Sequence, residues 1–225
     1  MARSRALRVV ARFQYLLPET QTFTGFGRHV VAISPDGTKL VYVANRQLYL
    51  RELNRLESEP IRGTLEAPAA PVEPVFSPDG LSVAYFTTVS EGMVVKRVPI
   101  AGGTPIILGR VSGGPLGVTW RNHTIAFGRG AAGIEALPDT GGEARTIASV
   151  DAKTERAVQP ELLDGGEYVV FGVPTHLTRA ARARPARVRS SFSRLQGERA
   201  RMPPCITTPP GRPTAGASST IRATA

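Results

Sequence analysis

Four aromatic residues divide most of the chain into nearly equal lengths. Tyr42, Tyr85, Phe127 and Phe171 follow one another at intervals of 43, 42 and 44 residues. Each sits in an apolar run: Leu40-Val41-Tyr42-Val43, Val83-Ala84-Tyr85-Phe86, Thr124-Ile125-Ala126-Phe127 and Tyr168-Val169-Val170-Phe171. In the first two copies a turn precedes the run, Ser34-Pro35-Asp36-Gly37 and Ser77-Pro78-Asp79-Gly80. Proline pre-sets φ for a tight turn, aspartate bonds nearby backbone N–H groups, and glycine accepts the positive φ that closes it. The later turns are degenerate, Arg121-Asn122-His123 in the third copy and Gly165-Gly166 in the fourth. A second marker falls late in the unit, Gly102-Gly103-Thr104-Pro105 and again Gly141-Gly142-Glu143-Ala144.

The first two runs are apolar on both faces, so protein covers both faces of the strand. A period of roughly 40–45 residues with several strands in each is the signature of a propeller blade; the alternative is an ordinary sandwich with coincident turns. The expected fold is all-β, a partial, open β-propeller of about 3.5 blades. Its domain runs over 12–176, with blades at about 29–63, 74–109 and 116–148 and a half blade at 157–173. Residues 12–19 read as a strand ended by Pro18, and 64–74 as a linker rich in Ala, Pro and Glu. Gln47–Leu53 alternates polar and apolar, as a strand covered on one face does. So few blades cannot close a ring, so the first and last should each bare an apolar face, with an unpaired edge near Tyr168–Val173.

Ser-Pro-Asp-Gly before one strand and Gly-Gly-Thr/Glu-Pro/Ala before another resemble the WD-like, TolB-type β-propeller repeat. The run Arg12-Phe13-Gln14-Tyr15-Leu16-Leu17-Pro18-Glu19, continuing through Gly27-Arg28-His29 to Gly37, is more particular. It resembles the propeller that follows the kinase domain in many bacterial serine/threonine protein kinases. The resemblance covers about 12–175 and implies a sensor or interaction region, with a kinase domain and a membrane segment ahead of it in the parent protein.

Charge divides the chain at the same place. The net charge is +10, yet residues 1–176 hold 18 Lys+Arg against 17 Asp+Glu. From Leu177 onward there are ten arginines, no lysine and only Glu198. This tail of Arg, Ala, Pro, Ser and Thr buries too little apolar surface to offset chain entropy, so 177–225 is expected to be disordered, like 1–11. Three readings of it stay open: out-of-frame or truncated text, inert disorder, and a nucleic-acid or anion-binding arm. Scattered arginines with the single aromatic Phe192 do not favour nucleic acid. Cys205 is the only cysteine, so no intrachain disulfide forms. Arg5, Arg8 and Arg12 break up any secretory apolar core, and no stretch approaches the ~20 apolar residues of a membrane span. A cytoplasmic location is the expectation, although the propellers it resembles are extracytoplasmic.

No string carries the chemistry of catalysis. Gly128-Arg129-Gly130-Ala131-Ala132-Gly133 matches G-x-G-x-x-G, but Pro138 and Gly141-Gly142 leave no room for the helix whose N–H groups would hold phosphate. Val31-Ala32-Ile33-Ser34 has serine where a kinase lysine belongs, and neither H-R-D nor D-F-G occurs. Gly216-Ala217-Ser218-Ser219-Thr220 lacks the second glycine of a nucleophile elbow. His29, His123 and His176 are far apart in sequence, without zinc spacing. Asp36 and Asp79 read as turn residues, and Trp120 as core.

The sequence therefore supports a non-catalytic binding or interaction module with no cofactor and no metal. Its partner is a protein or small ligand at a propeller face, and it self-associates through open blade edges. The alternative function is the propeller gate of a prolyl-oligopeptidase-like hydrolase. The residues singled out are turn residues: Ser34, Pro35, Asp36, Gly37, Ser77, Pro78, Asp79, Gly80, Gly165 and Gly166.

Overall fold

The computed structural model describes residues 15–25, 27–163 and 168–174, and the backbone of 188–194. All its regular structure is β. The first sheet holds β1 (Val31–Ile33), β2 (Lys39–Ala44), β3 (Gln47–Glu52) and β4 (Glu59–Pro60). The second holds β5 (Val72–Phe76), β6 (Ser82–Val89), β7 (Gly92–Pro99) and β8 (Ile106–Val111). β9 (Val118–Arg121), β10 (Thr124–Gly128), β11 (Ile134–Pro138) and β12 (Arg145–Ala148) form the third. The fourth is three-stranded, β13 (Val158–Leu162), β14 (Tyr168–Pro174) and β15 (Val188–Arg194). Every sheet is an antiparallel meander in chain order. The sheets are blades of an open, partial propeller whose first strands, β1, β5, β9 and β13, stand side by side on the inner side of the arc.

The second strand of each blade explains the doubly apolar runs. Val41 and Val43 of β2 pack with Val83 and Tyr85 of β6, the seam between blades one and two. Ala84 and Phe86, on the other face of β6, meet Ile125, Phe127 and Trp120. The Phe86 and Phe127 rings meet edge to face at 5.2 Å. Ala126 in turn joins Val169, Phe171 and Val173 of β14. One strand thus serves two seams, because alternate side chains leave opposite faces. β14 is the exception, with Tyr168 38% exposed on its far face, where no described blade follows.

The Gly-Gly markers hold the seams from outside. The Gly103 N–H donates to the Arg62 carbonyl at 3.1 Å, and the Gly142 N–H to the Leu108 carbonyl at 2.8 Å. Each marker lies against a glycine of the preceding blade. A Cβ on Gly63 would stand 2.0 Å from the Gly103 carbonyl oxygen, and one on Gly109 2.6 Å from that of Gly142.

Three expectations need correction. Tyr15–Leu17 form no strand; Pro18 opens a turn instead, with the Gln21 N–H donating to its carbonyl at 2.8 Å. Residues 15–23 lie as an irregular segment over the end face of blade one, where Tyr15, Leu17 and Phe23 cover Leu40, Tyr42 and Ala44. That face is therefore bare only along β1, at Val31 and Ile33, which is 58% exposed. The edge at Tyr168–Val173 is also not unpaired: β15, from within the tail, pairs with all of β14, Tyr168 opposite Arg194 through Pro174 opposite Val188. A β ladder bonds backbone to backbone, so an arginine- and serine-rich run can supply it without a hydrophobic pattern. The rest of 177–225, and all of 1–11, lie outside the described residues. β4 is short: past Pro60 the Ile61 N–H still donates to the Leu48 carbonyl at 2.8 Å, but the Leu48 N–H goes to the Thr64 hydroxyl at 3.1 Å.

Candidate ligand site at the axial channel

Two blades break their inner strand at the same repeat position. In β5, Val72 faces Phe86 and Val75 faces Ala84, so one extra residue lies between the pairs. In β13, Val158 faces Gly172 and Glu161 faces Val170, with the same surplus. The bulged residues are Glu73-Pro74 and Gln159-Pro160. Proline has no N–H to give a ladder and is tolerated in strands at bulges. Glu73 and Gln159 take φ of 51° and 50°, and Gly117, the equivalent residue of blade three, takes 88°. The other non-glycine residues with positive φ among those described, Asn45-Arg46 and Asn122-His123, occupy two-residue hairpin tips where that geometry is ordinary.

Each bulge grips a preceding blade. The Glu73 N–H donates to the His29 carbonyl at 2.9 Å, and the Gln159 N–H to the Leu116 carbonyl at 2.7 Å. These residues gather at one end of the inner strands around a cavity of about 320 Å³, walled by Leu116 and Val158 and rimmed by Arg28, His29, Glu73 and Gln159. The Glu73 residue is only 2% exposed. Its Oε1 accepts the His29 backbone N–H at 3.3 Å. Its Oε2 accepts no hydrogen bond, although the His29 Nδ1 stands 3.0 Å away, too poorly aligned to donate. The His29 side chain is 55% exposed, and its pairing with Glu73 is ionic only when the ring is protonated. The Arg28 Nη1 donates to the Pro115 carbonyl, which ties the entry to blade one to the entry to blade three.

The turn residues singled out from sequence lie at the other end of the inner strands. β1 runs from the site to Ser34, and β5 from the site to Ser77. The Ser34 Oγ donates to Asp36 Oδ1 at 2.5 Å, which also accepts the Thr38 N–H at 3.0 Å, and the Gly37 N–H closes the turn onto the Ser34 carbonyl at 2.8 Å. Ser77, Asp79 and Gly80 repeat this, with the same 2.5 Å contact and a 2.9 Å bond from the Leu81 N–H. Gly37 and Gly80 take φ of 72° and 70°. These bonds favour the carboxylate, so Asp36 is held down at about 2 and Asp79 is lowered in the same direction, the serine hydroxyl being the largest cause in both. The two turns abut, since a Cβ on Gly80 would lie 3.8 Å from Pro35 Cδ. Both serve as turns. Gly165 and Gly166 lie outside the described residues.

Other residues read from sequence find different settings. The glycines of 128–133 lead into β11 rather than a helix, and Gly130 exchanges backbone bonds of 3.0 and 2.9 Å with Ala157 of the next blade. Trp120 is core, and its Nε1–H donates to Asp139 Oδ2 at 3.2 Å. The two described histidines are not alone: His29 faces Glu73, and His123 Nδ1 lies 3.2 Å from Asp139. Among the described residues no three His, Cys, Asp or Glu gather as a metal group, and no helix is long and apolar enough to cross a membrane. Sequence reasoning missed Glu73 and Gln159. The signal was present as Val72-Glu73-Pro74 and Val158-Gln159-Pro160, two periods apart.

No protein-family model and no curated protein matches the chain. Solved structures do. A TolB-type protein from Agrobacterium tumefaciens aligns with a TM-score of 0.53 at 17% identity, over 75% of this chain and 61% of that one. TolB from Acinetobacter baumannii gives 0.54 at 16% identity, over 74% and 41%. An oligogalacturonate lyase in complex with manganese gives 0.51 at 17% identity, over 66% and 47%. The chain thus spans roughly half the length of the structures it resembles. At such identities the likeness concerns architecture alone, and the architecture is that of a TolB-like β-propeller, present here as three full blades and part of a fourth.

Proposed function

We propose that the chain is a binding module without catalysis of its own, and that it takes a small polar group at the channel mouth. The observation that carries this reading is the pair of left-handed bulges. A non-glycine residue at positive φ is uncommon and costs about 1–3 kcal/mol, and such strain concentrates at ligand sites. Here it recurs at Glu73 and Gln159, which rim the same cavity. Concave, largely apolar walls with a few convergent polar groups are the usual form of a small-ligand site. A thermal-shift screen of small charged and polar compounds tests the reading, run on the wild type and on Leu116→Trp, which fills the cavity. Compounds that raise the melting temperature of the wild type but not of the variant are expected. Stabilisation that survives in Leu116→Trp, or no stabilisation by any compound, overturns it.

The finer reading places this module beside the catalytic domain of a bacterial serine/threonine protein kinase, as its sensor region. The resemblance of Arg12 to Gly37 supports it. Reading the flanking DNA in all frames tests it: an upstream kinase domain is expected, and its absence overturns the kinase link while leaving the binding reading intact.

A further inference from the structure

The buried carboxylate of Glu73 narrows the ligand. We propose, building on the channel-mouth reading, that the site takes an organic ammonium group on a short aliphatic stem, and that the His29 imidazole is the displaceable occupant of its place.

A carboxylate removed from water needs hydrogen bonds or a cation, and Glu73 is 2% exposed with one oxygen that accepts no hydrogen bond. The neighbouring Arg28 guanidinium turns its Nη1 to the Pro115 carbonyl and donates to neither oxygen of Glu73. The His29 ring lies 3.0 Å from the unbonded oxygen, poorly aligned, and is more than half exposed. It can rotate into solvent without opening a seam. The Glu73 backbone cannot follow, because its own N–H is bonded to the His29 carbonyl at 2.9 Å and its bulge is fixed by Pro74. Rotation of the ring would leave one carboxylate oxygen facing a cavity of about 320 Å³, at the small end of ligand sites.

The same geometry selects among cations. A guanidinium binds best in a fork on both oxygens of a carboxylate. One oxygen of Glu73 is already engaged by the His29 backbone N–H, which leaves a single acceptor suited to a point charge. An ammonium meets that requirement. Leu116 and Val158 would flank its stem, and the Gln159 carboxamide lies on the same rim.

The test is titration of the full chain with four butyl probes by calorimetry and by the His29 imidazole NMR signals. n-Butylammonium is expected to bind in the millimolar range that so small a ligand permits and to shift the His29 signals. n-Butylguanidinium should bind severalfold more weakly, and butanol and butyrate not measurably. Glu73→Gln should weaken butylammonium at least about tenfold. His29→Ala, a change at an exposed side chain, should strengthen it severalfold by removing the competitor, and this arm stands even where Glu73→Gln fails to fold. Unchanged or weaker binding by His29→Ala, or equal binding of the guanidinium, overturns the proposal. Neutral or anionic compounds that bind and are blocked by Leu116→Trp, with no response to butylammonium, would overturn the ammonium assignment alone. No binding by any compound would overturn the channel reading as well.

Discussion

Three glycines separate two physical reasons for the absence of a side chain within this fold. Gly37 has φ of 72° and nothing within 4 Å of an added Cβ, so alanine there meets backbone strain alone. Gly109 has no such φ, but its added Cβ would stand 2.6 Å from the Gly142 carbonyl oxygen, so alanine meets a neighbouring blade alone. Gly63 combines both, with φ of 86° and a 2.0 Å approach to the Gly103 carbonyl oxygen. A left-handed non-glycine residue costs about 1–2 kcal/mol, and forcing an extra carbon into a packed seam about 1–3 kcal/mol. The expected order is Gly37→Ala at about 1–2 kcal/mol, Gly109→Ala at about 1–3, and Gly63→Ala near their sum, about 2–5. In a protein of this size each kcal/mol moves the melting temperature by roughly 2–4 °C. Differential scanning calorimetry at one scan rate, with urea titration as a second measure, resolves the three. A Gly63→Ala protein no less stable than Gly37→Ala would refute the argument. It would mean that the blades yield at the Gly-Gly markers and that the markers do not set their spacing.

Other expectations follow from the turns, the seams and the ends. Asp36 is depressed from 3.8 to about 2 in the folded chain, so the stability it lends is complete above the unfolded value and is lost as pH falls through that interval. Asp36→Asn should be mild at neutral pH and should flatten the acid limb of a stability profile between about 4 and 2; an unchanged limb would show that the turn does not hold the carboxylate. Phe86→Ala and Phe127→Ala should each destabilise by about 3–5 kcal/mol, and a double-mutant cycle should reveal coupling of about 0.5–1.5 kcal/mol, with strict additivity contradicting the edge-to-face contact. Val31→Glu with Ile33→Lys should reduce self-association in light scattering at an unchanged melting temperature; equal scattering would remove β1 as a sticky edge. Ser190→Pro and Ser191→Pro, tested singly, should include one that frees β15, since alternate N–H groups face β14, and limited proteolysis near 188–194 should then accelerate.

What was legible in the sequence is what local chemistry dictates. Ser-Pro-Asp-Gly makes the same turn wherever it stands, and Tyr85-Phe86 announces two covered faces whatever covers them. The blades could be counted from these signals. The cover over blade one could not, because Tyr15 meets Tyr42 through an irregular segment with no period to betray it, joined by a 2.8 Å hydroxyl–hydroxyl bond. β15 escaped because Val188–Arg194 has no apolar alternation, and its ladder uses backbone only. Glu73 and Gln159 escaped for a sharper reason. A residue before proline is ordinarily held in the extended region, so Val-Glu-Pro reads as plain strand. The left-handed turn there is imposed by the neighbouring blade, whose carbonyl takes the N–H.

Because the central strands of blades two and three each share their two faces between two seams, the core behaves as a row of units coupled mainly to immediate neighbours, with the Arg28–Pro115 contact bridging blade one to blade three. A defect in the core of blade two reaches the core of the fourth sheet by way of blade three. The row is also unlike at its two ends. Aromatic side chains buttress most of the first face, whereas the last carries a partly bare Tyr168. Melting in such a row starts where the fewest neighbours resist it and advances one unit at a time. Amide exchange should therefore be fastest in the last blade and slow progressively toward the first two, giving the arc a direction in time as well as in space.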